Sequence, residues 1–179
     1  MKTGRELMNA LKDFPVANGK MAYCWLGQMS LAVKAADAML YFDLFLTPQP
    51  DRIMDPLLKP EELCNADYIF GSHDHSDHID RKAWPKIAEA SPLAKFVVPA
   101  VFADGLAEEL GIPRERIIGV DENQGYEDGR IRIQAVPSAH EFLDKDPKTG
   151  MYPYLGYVVT TSGGVVYHPG DCCLYEGLQ

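Results

Sequence analysis

DYIFGSHDHSDH, residues 67–78, holds three of the chain's five histidines and passes from an apolar tripeptide through one glycine straight into a dense polar cluster. Tyr68, Ile69 and Phe70 read as a buried strand, and a loop that follows such a strand sits at the C-terminal edge of a sheet, where α/β folds present their ligands. A merely solvated loop has no need of so close an anchor in the core. Within the loop, His73, His75, Asp77 and His78 are spaced too tightly for a helical metal motif, whose ligands recur at i and i+4. On an extended segment His73 and His75 point the same way, while Asp77 and His78 turn toward an adjacent point. Two nitrogens for one cation, and an oxygen with a nitrogen for a second, is donor chemistry suited to zinc, manganese or iron.

Outward from this loop the chain alternates between strand and helix signals. Before it, MAYCWLGQ (21–28), SLAVKA (30–35) and AMLYFDLFL (38–46) predict three strands of an antiparallel meander, preceded by a short amphipathic helix in MKTGRELMNALKDF. After it, Asp80 can cap a helix running to about Ala90, KFVVPA (95–100) predicts a strand, and ADGLAEELGI (103–112) predicts a helix with Gly111 as its C-cap. Strands are predicted over 116–120 and 130–136. YLGYVVTT and GVVYHPGD make a hairpin around Ser162, Gly163 and Gly164. This pattern implies a mixed sheet with helices on one face. His140 and Asp171 each lie just beyond the end of one of these strands, so a shared rim can collect them with the cluster.

Composition narrows the partners. A chain of 179 residues with 46% hydrophobic residues can bury a substantial core. Its net charge of −9 leaves no basic stripe for a nucleic-acid backbone, while a small anionic substrate remains compatible with a local metal site. Cys24, Cys64, Cys172 and Cys173 have neither CxxC spacing nor disulfide density, and they predict reduced, mostly buried thiols in a cytoplasmic protein. Cys172, beside Asp171, is weighed as a thiolate ligand against an ordinary small apolar residue. No stretch is long and apolar enough to imply a membrane span.

HDHSDH matches the HxHxDH signature of the metallo-β-lactamase superfamily. The segments WLGQ, YFDLFL, AHEFL, PYLGYVV and YHPGDCCLYEGL resemble the branch of metal-dependent hydrolases that includes L-ascorbate-6-phosphate lactonase. The likeness covers nearly all of 21–179. It implies an α/β (α+β) fold, the αββα sandwich with a metal centre at the edge of its sheets, of which residues 1–179 form a single partial domain, the N-terminal half to two thirds. It also implies one or two divalent ions, Mn2+ or Zn2+, with His73, His75 and His140 on the first, Asp77 and His78 on the second, and Asp171 bridging. The family pattern brings a last histidine to the second ion, and this chain has none after His168. A sheet face left open by a missing portion would be apolar, so a homo-oligomer is expected.

The same resemblance implies that Asp43 supports the metal-bearing loops through hydrogen bonds. His168 reads as a histidine that supports the site from behind its ligands or is simply packed beside it, and Trp25, Tyr41, Phe42 and Tyr154 read as core. Arg130 and Arg132, alternating along one strand, read as a solvated face and not a phosphate clamp. The implied reaction is attack on a lactone carbonyl of a small sugar-acid phosphate by a hydroxide held between the ions, with Asp77 as the catalytic residue that orients it. A phosphodiesterase or nuclease, a thioester hydrolase and a catalytically incomplete metal-binding module are the alternatives, the nuclease disfavoured by the acidic composition.

Overall fold

Strands form where the apolar runs lie, and their pairing follows their patterning. In the computed structural model, which describes residues 1–178, β1 (Ala22–Gly27), β2 (Ser30–Lys34) and β3 (Met39–Phe42) form the antiparallel meander. β4 (Tyr68–Phe70), β5 (Lys95–Pro99) and β6 (Ile117–Val120) continue it in parallel, giving a six-stranded mixed sheet in sequential order. Parallel pairing needs crossovers. They are supplied by the segment 43–67, by α2 (Trp84–Ala90) and by α3 (Ala103–Leu110), whose C-cap Gly111 is left-handed. Together with α1 (Gly4–Asp13), these helices cover one face of the sheet around Met8, Tyr41, Ile69, Trp84, Phe96 and Leu106.

The other face is covered by a second sheet. β7 (Tyr126–Glu127), β8 (Arg132–Pro137), β9 (Leu155–Thr161) and β10 (Gly164–His168) pair antiparallel in the order β10-β9-β8-β7. Ile133, Ala135, Tyr157 and Val159 point inward onto Leu40, Phe42, Tyr68, Phe70 and Val97. The mixed sheet with helices on one face is as expected, and the later strands form the second sheet of the sandwich. The reason lies in β8, where exposed Arg132 and Gln134 alternate with buried Ile133 and Ala135, the signature of a strand with one wet face. β4 and β5, buried on both faces, belong to the middle layer. Helices, mixed sheet and antiparallel sheet are the α, β and β layers of an αββα-like sandwich. Among the described residues no helix lies on the outer face of the second sheet, which presents Arg132, Gln134, Thr160, Val165 and Tyr167.

Several boundaries differ from expectation for local reasons. The run 38–46 stops being a strand at Phe42, because Asp43 adopts a left-handed conformation with φ 44°. The helix expected from Asp80 begins at Trp84, although Asp80 does hold its first turn: Oδ1 accepts the Ala83 N–H at 3.1 Å. Arg130 precedes β8; like Arg132 it is exposed, and it pairs with Asp67 at 2.8 Å. All four cysteines are free, but Cys64 and Cys173 are exposed, where buried thiols were expected. No helix among the described residues is long and apolar enough to cross a membrane.

Candidate metal centre

The loop after β4 is folded back on itself by its own backbone. His78 and Ile79 N–H groups both donate to the His75 carbonyl, at 3.0 and 2.8 Å, which turns His78 toward His73. Asp80 then pins the loop to the start of the preceding crossover, its Oδ2 accepting the Leu46 and Thr47 N–H groups at 2.9 and 2.8 Å. The second sheet docks directly on the start of the loop. Leu155 N–H donates to the Ser72 carbonyl at 3.0 Å, and the Tyr157 hydroxyl to the Gly71 carbonyl at 2.7 Å. Gly170, with φ 62°, passes so close that a β-carbon there would lie 2.7 Å from Ser72 Cβ, so only glycine fits. The next residue is Asp171. Its segment is tied to that of His140 by the Cys173 N–H, which donates to the Ala139 carbonyl at 2.7 Å.

The convergence that results brings His73, His75 and His140 together, with one ring nitrogen of each within 4.8 Å of the others; His73, His78 and Asp171 form a second such group. Nitrogens bound tetrahedrally at zinc distances lie roughly 3.3 Å apart, so both donor sets fit a divalent cation of the zinc or manganese type after small adjustments. His78 Nε2 is 3.4 Å from Asp171 Oδ2 and 3.6 Å from Asp77 Oδ2, and His140 Nε2 is 3.9 Å from Asp171 Oδ2. Asp171 thus stands between the two groups, and Asp77 beside the second. Asp74, the other aspartate of the loop, faces away and pairs with Arg81 at 2.5 Å. The Cys172 thiol lies outside both donor groups and donates to the Cys173 carbonyl at 3.3 Å. His73 and His78 are buried whereas His75 is exposed, so the centre has a closed floor and an open rim.

Beneath that floor lies Asp43, fully buried. Its Oδ1 accepts the Ser72 N–H at 2.8 Å, and its Oδ2 accepts the Ser72 hydroxyl at 2.9 Å, His78 Nδ1–H at 2.8 Å and His168 Nε2–H at 2.7 Å. The Ser72 hydroxyl, having donated to Asp43, accepts from His73 Nδ1 at 3.0 Å. These bonds assign the tautomers: His73 and His78 carry their protons on Nδ1, and each Nε2 is left to face the site. Burial alone would push the Asp43 carboxyl up, but hydrogen bonds from His168 and His78 outweigh it and hold the group well below the usual carboxylate range. Burial, then the neighbouring histidines, lowers His73 to about 3, so its imidazole is neutral and available as a ligand. Burial opposes charge on His78, yet Asp43, Asp171 and Asp77 together raise its pKa above the usual imidazole value.

Three contributors lie beyond what the motif discloses. His168 is a hydrogen-bonding support through Asp43 and not a bystander. Gln28, left-handed at φ 52° on the β1–β2 turn, donates from Nε2 to Asp77 Oδ2 at 3.1 Å, 49 positions along the chain. Its positive φ carries no local sequence signal of the kind glycine would give. Tyr154, expected in the core, stacks on His140 with ring centroids 5.1 Å apart and lines a cleft of about 380 Å³ with Glu141, Phe142 and Asp144. Trp25 likewise is not core: it is 62% exposed, its indole N–H donating to the Gln28 carbonyl at 2.8 Å.

Comparison with known proteins agrees with the fold and the cluster. The model of the Beta-lactamase superfamily domain matches residues 37–178, which include all six candidate ligands. A UPF0173 metal-dependent hydrolase of Opitutus terrae is 30% identical over 163 residues, covering 89% of this chain and 66% of that protein. One from Saccharolobus solfataricus is 28% identical over 136 residues, covering 71% of this chain and 56% of that protein. The chain spans 56% to 66% of the length of the curated relatives it matches. Among solved structures, Igni18, a metallo hydrolase from Ignicoccus hospitalis, superposes with a TM-score of 0.59 at 18% identity, over 88% of this chain and 64% of that one. At such identity the likeness concerns the fold. The family match takes in both rims that meet over Asp43, the one that carries His73 to His78 and the one that carries His140 and Asp171, and the chain accordingly belongs to the metallo-β-lactamase superfamily.

Proposed function

We propose that this domain catalyses metal-dependent hydrolysis of a small anionic ester, with the opening of a lactone as its characteristic reaction. The observation that supports this most is the pair of donor groups sharing His73, both aimed by one buried carboxylate, Asp43. A site whose imidazoles are oriented before any cation arrives is preorganised for ligation. His73, His75 and His140 would hold one divalent ion, Mn2+ or Zn2+; Asp77 and His78 would hold a second, with Asp171 between them. Such ions supply a water of lowered pKa and an electrophilic contact for the substrate's carbonyl oxygen.

The chain's own residues do the rest. Asp77, steered by Gln28, accepts a hydrogen bond from the attacking water and so fixes its line of approach. The water oxygen bonds to the carbonyl carbon and gives up one proton to solvent as the ring C–O bond breaks, and the departing ring oxygen takes a proton from solvent at the open rim, giving a hydroxy acid. The names of the relatives, metal-dependent hydrolases, support hydrolysis. The resemblance to the L-ascorbate-6-phosphate lactonase branch makes the lactone of a sugar-acid phosphate the first substrate to assay. Free thiols and a net charge of −9 support a cytoplasmic enzyme of small molecules and not of nucleic acid, and exposed Val165 and Tyr167 on the second sheet support assembly with further copies.

The test is elemental analysis of the purified protein combined with a lactone-hydrolysis assay. Chelation is expected to abolish turnover, Mn2+ or Zn2+ to restore it, and His75→Ala to lower it by at least about a hundredfold. Turnover that survives both chelation and His75→Ala sinks the reading.

A further inference from the structure

A groove of about 820 Å³ runs between the β1–β2 hairpin and the segment 45–54, and its inner end is Asp77. Its walls include Trp25, Phe45, Ile53 and Met54. Trp25 is largely exposed and Ile53 wholly so, which leaves two large apolar side chains in water at the mouth of a groove that ends at the metal centre. Apolar surface left exposed in one patch marks a binding site more often than an isolated exposed side chain does.

Among the described residues that line this groove, Arg52 is the one lysine or arginine. Its guanidinium is fixed in place: Nη1 donates to the Phe45 carbonyl at 2.9 Å, Nε to the Met54 carbonyl at 3.1 Å, and the group lies 4.6 Å from the centre of the Phe45 ring. Nη2 donates to none of the described residues, and Arg52 forms no ion pair among them, although Asp51 lines the same groove. A rigid cation with a free edge beside flat apolar walls is complementary to a carboxylate carried on a flat hydrocarbon frame. The two aspartates that share the groove, Asp51 and Asp77, disfavour a more highly charged ligand by repulsion. A sugar's hydroxyls would meet mostly apolar surface here.

We propose that this groove is the substrate subsite for an amphiphilic monoacid: one carboxylate on the free edge of Arg52, an aryl or similarly planar body against exposed Trp25 and Ile53, and the hydrolysable end toward Asp77. The inference rests on the hydrolytic reading of the adjacent centre, and it puts the ester of an aryl monoacid in place of the sugar-acid phosphate as the substrate.

Binding can be measured without turnover. The chelated protein is titrated with 3-phenylpropionate, its neutral amide, acetate and 6-phosphogluconate, by calorimetry and by tryptophan fluorescence. Saturable binding of 3-phenylpropionate is expected, about tenfold tighter than the amide, acetate or the sugar phosphate. Trp25→Phe should abolish the fluorescence change, and Arg52→Gln should erase the preference for acid over amide. Because Arg52 also braces its own loop, Ile53→Glu is the second variant: it alters a wholly exposed side chain and should weaken the acid about tenfold while sparing the amide. Equal binding of acid and amide, tighter binding of 6-phosphogluconate, no saturable binding, or Ile53→Glu without effect on the acid overturns the proposal. Binding as expected in a protein that hydrolyses nothing upholds the groove and sinks the hydrolytic reading. Hydrolysis without such binding does the reverse.

Discussion

Two carboxylates clamp the sheets together at opposite ends of β4, and they keep different company. Beyond its C-terminal end, Asp43 of the first sheet's rim reaches His168 of β10 and gathers Ser72 and His78. At its N-terminal end, Asp128, between β7 and β8, takes hydrogen bonds from Tyr68 and from Lys95 and Tyr126, the last two at 2.9 and 3.0 Å. Each carboxyl is pushed up by burial and held well below the usual carboxylate range by its donors. The difference is in what the donors do next. Among those of Asp43, His78 and the Ser72 hydroxyl adjoin the candidate metal centre. Those of Asp128 are an ammonium and phenols that belong to neither donor group. One clamp therefore adjoins the candidate centre, while the other stands apart from it.

The largest effect that would break this contrast is at Asp43. Asp43→Ala strands His78, His168 and Ser72 donors in the core and is expected to cost about 3–5 kcal/mol in urea unfolding; a loss below about 1 kcal/mol would show that the clamp is not what joins the layers. At the other clamp, Asp128→Asn should cost about 2 kcal/mol at pH 7. Because the folded carboxyl titrates below its unfolded value of about 3.9, this contribution is complete above that pH and is lost as pH falls through the folded value. The gap between the unfolding midpoints of parent and Asp128→Asn should then close only below about pH 4, and a gap that closes near neutrality contradicts the assignment.

Metal affinity sharpens the contrast further. Competition with a chromophoric chelator should find His168→Ala about tenfold weaker for Zn2+ although it removes no ligand, because Asp43 then holds His78 less firmly. Asp128→Asn should match the parent in that assay. The smallest effect is expected at Gln28: Gln28→Ala should shift stability by no more than about 0.5 kcal/mol. A larger destabilisation would make the hairpin tip part of the fold's support and not only a brace for Asp77.

What the sequence disclosed, and what it withheld, divides along the same line. Features written in consecutive residues were legible: the apolar tripeptide of β4, the histidines that follow it, the glycine that ends α3. The alternation in β8 held the clue to a second layer, since a strand wet on one face belongs to an outer layer or to a sheet edge. Features that exist only after docking were not legible. His168 and Asp43 are 125 positions apart, Tyr68 and Asp128 are 60, and nothing local in either member names the other. Trp25 misled because aromatic residues in an apolar strand are ordinarily core, and its position at a hairpin tip beside a groove is a tertiary fact.

The close passage of Gly170 over Ser72 carries a consequence in time. Those two positions are separated by on the order of a hundred residues, and contacts that close so long a loop form late because the chain entropy must be surrendered first. His140 and Asp171 cannot meet the histidines of the β4 loop until that closure has happened. A refolding chain should thus acquire its capacity to capture a cation in its last step, after both sheets have formed, and the uptake of a coloured ion such as Co2+ would serve as a clock for that final docking.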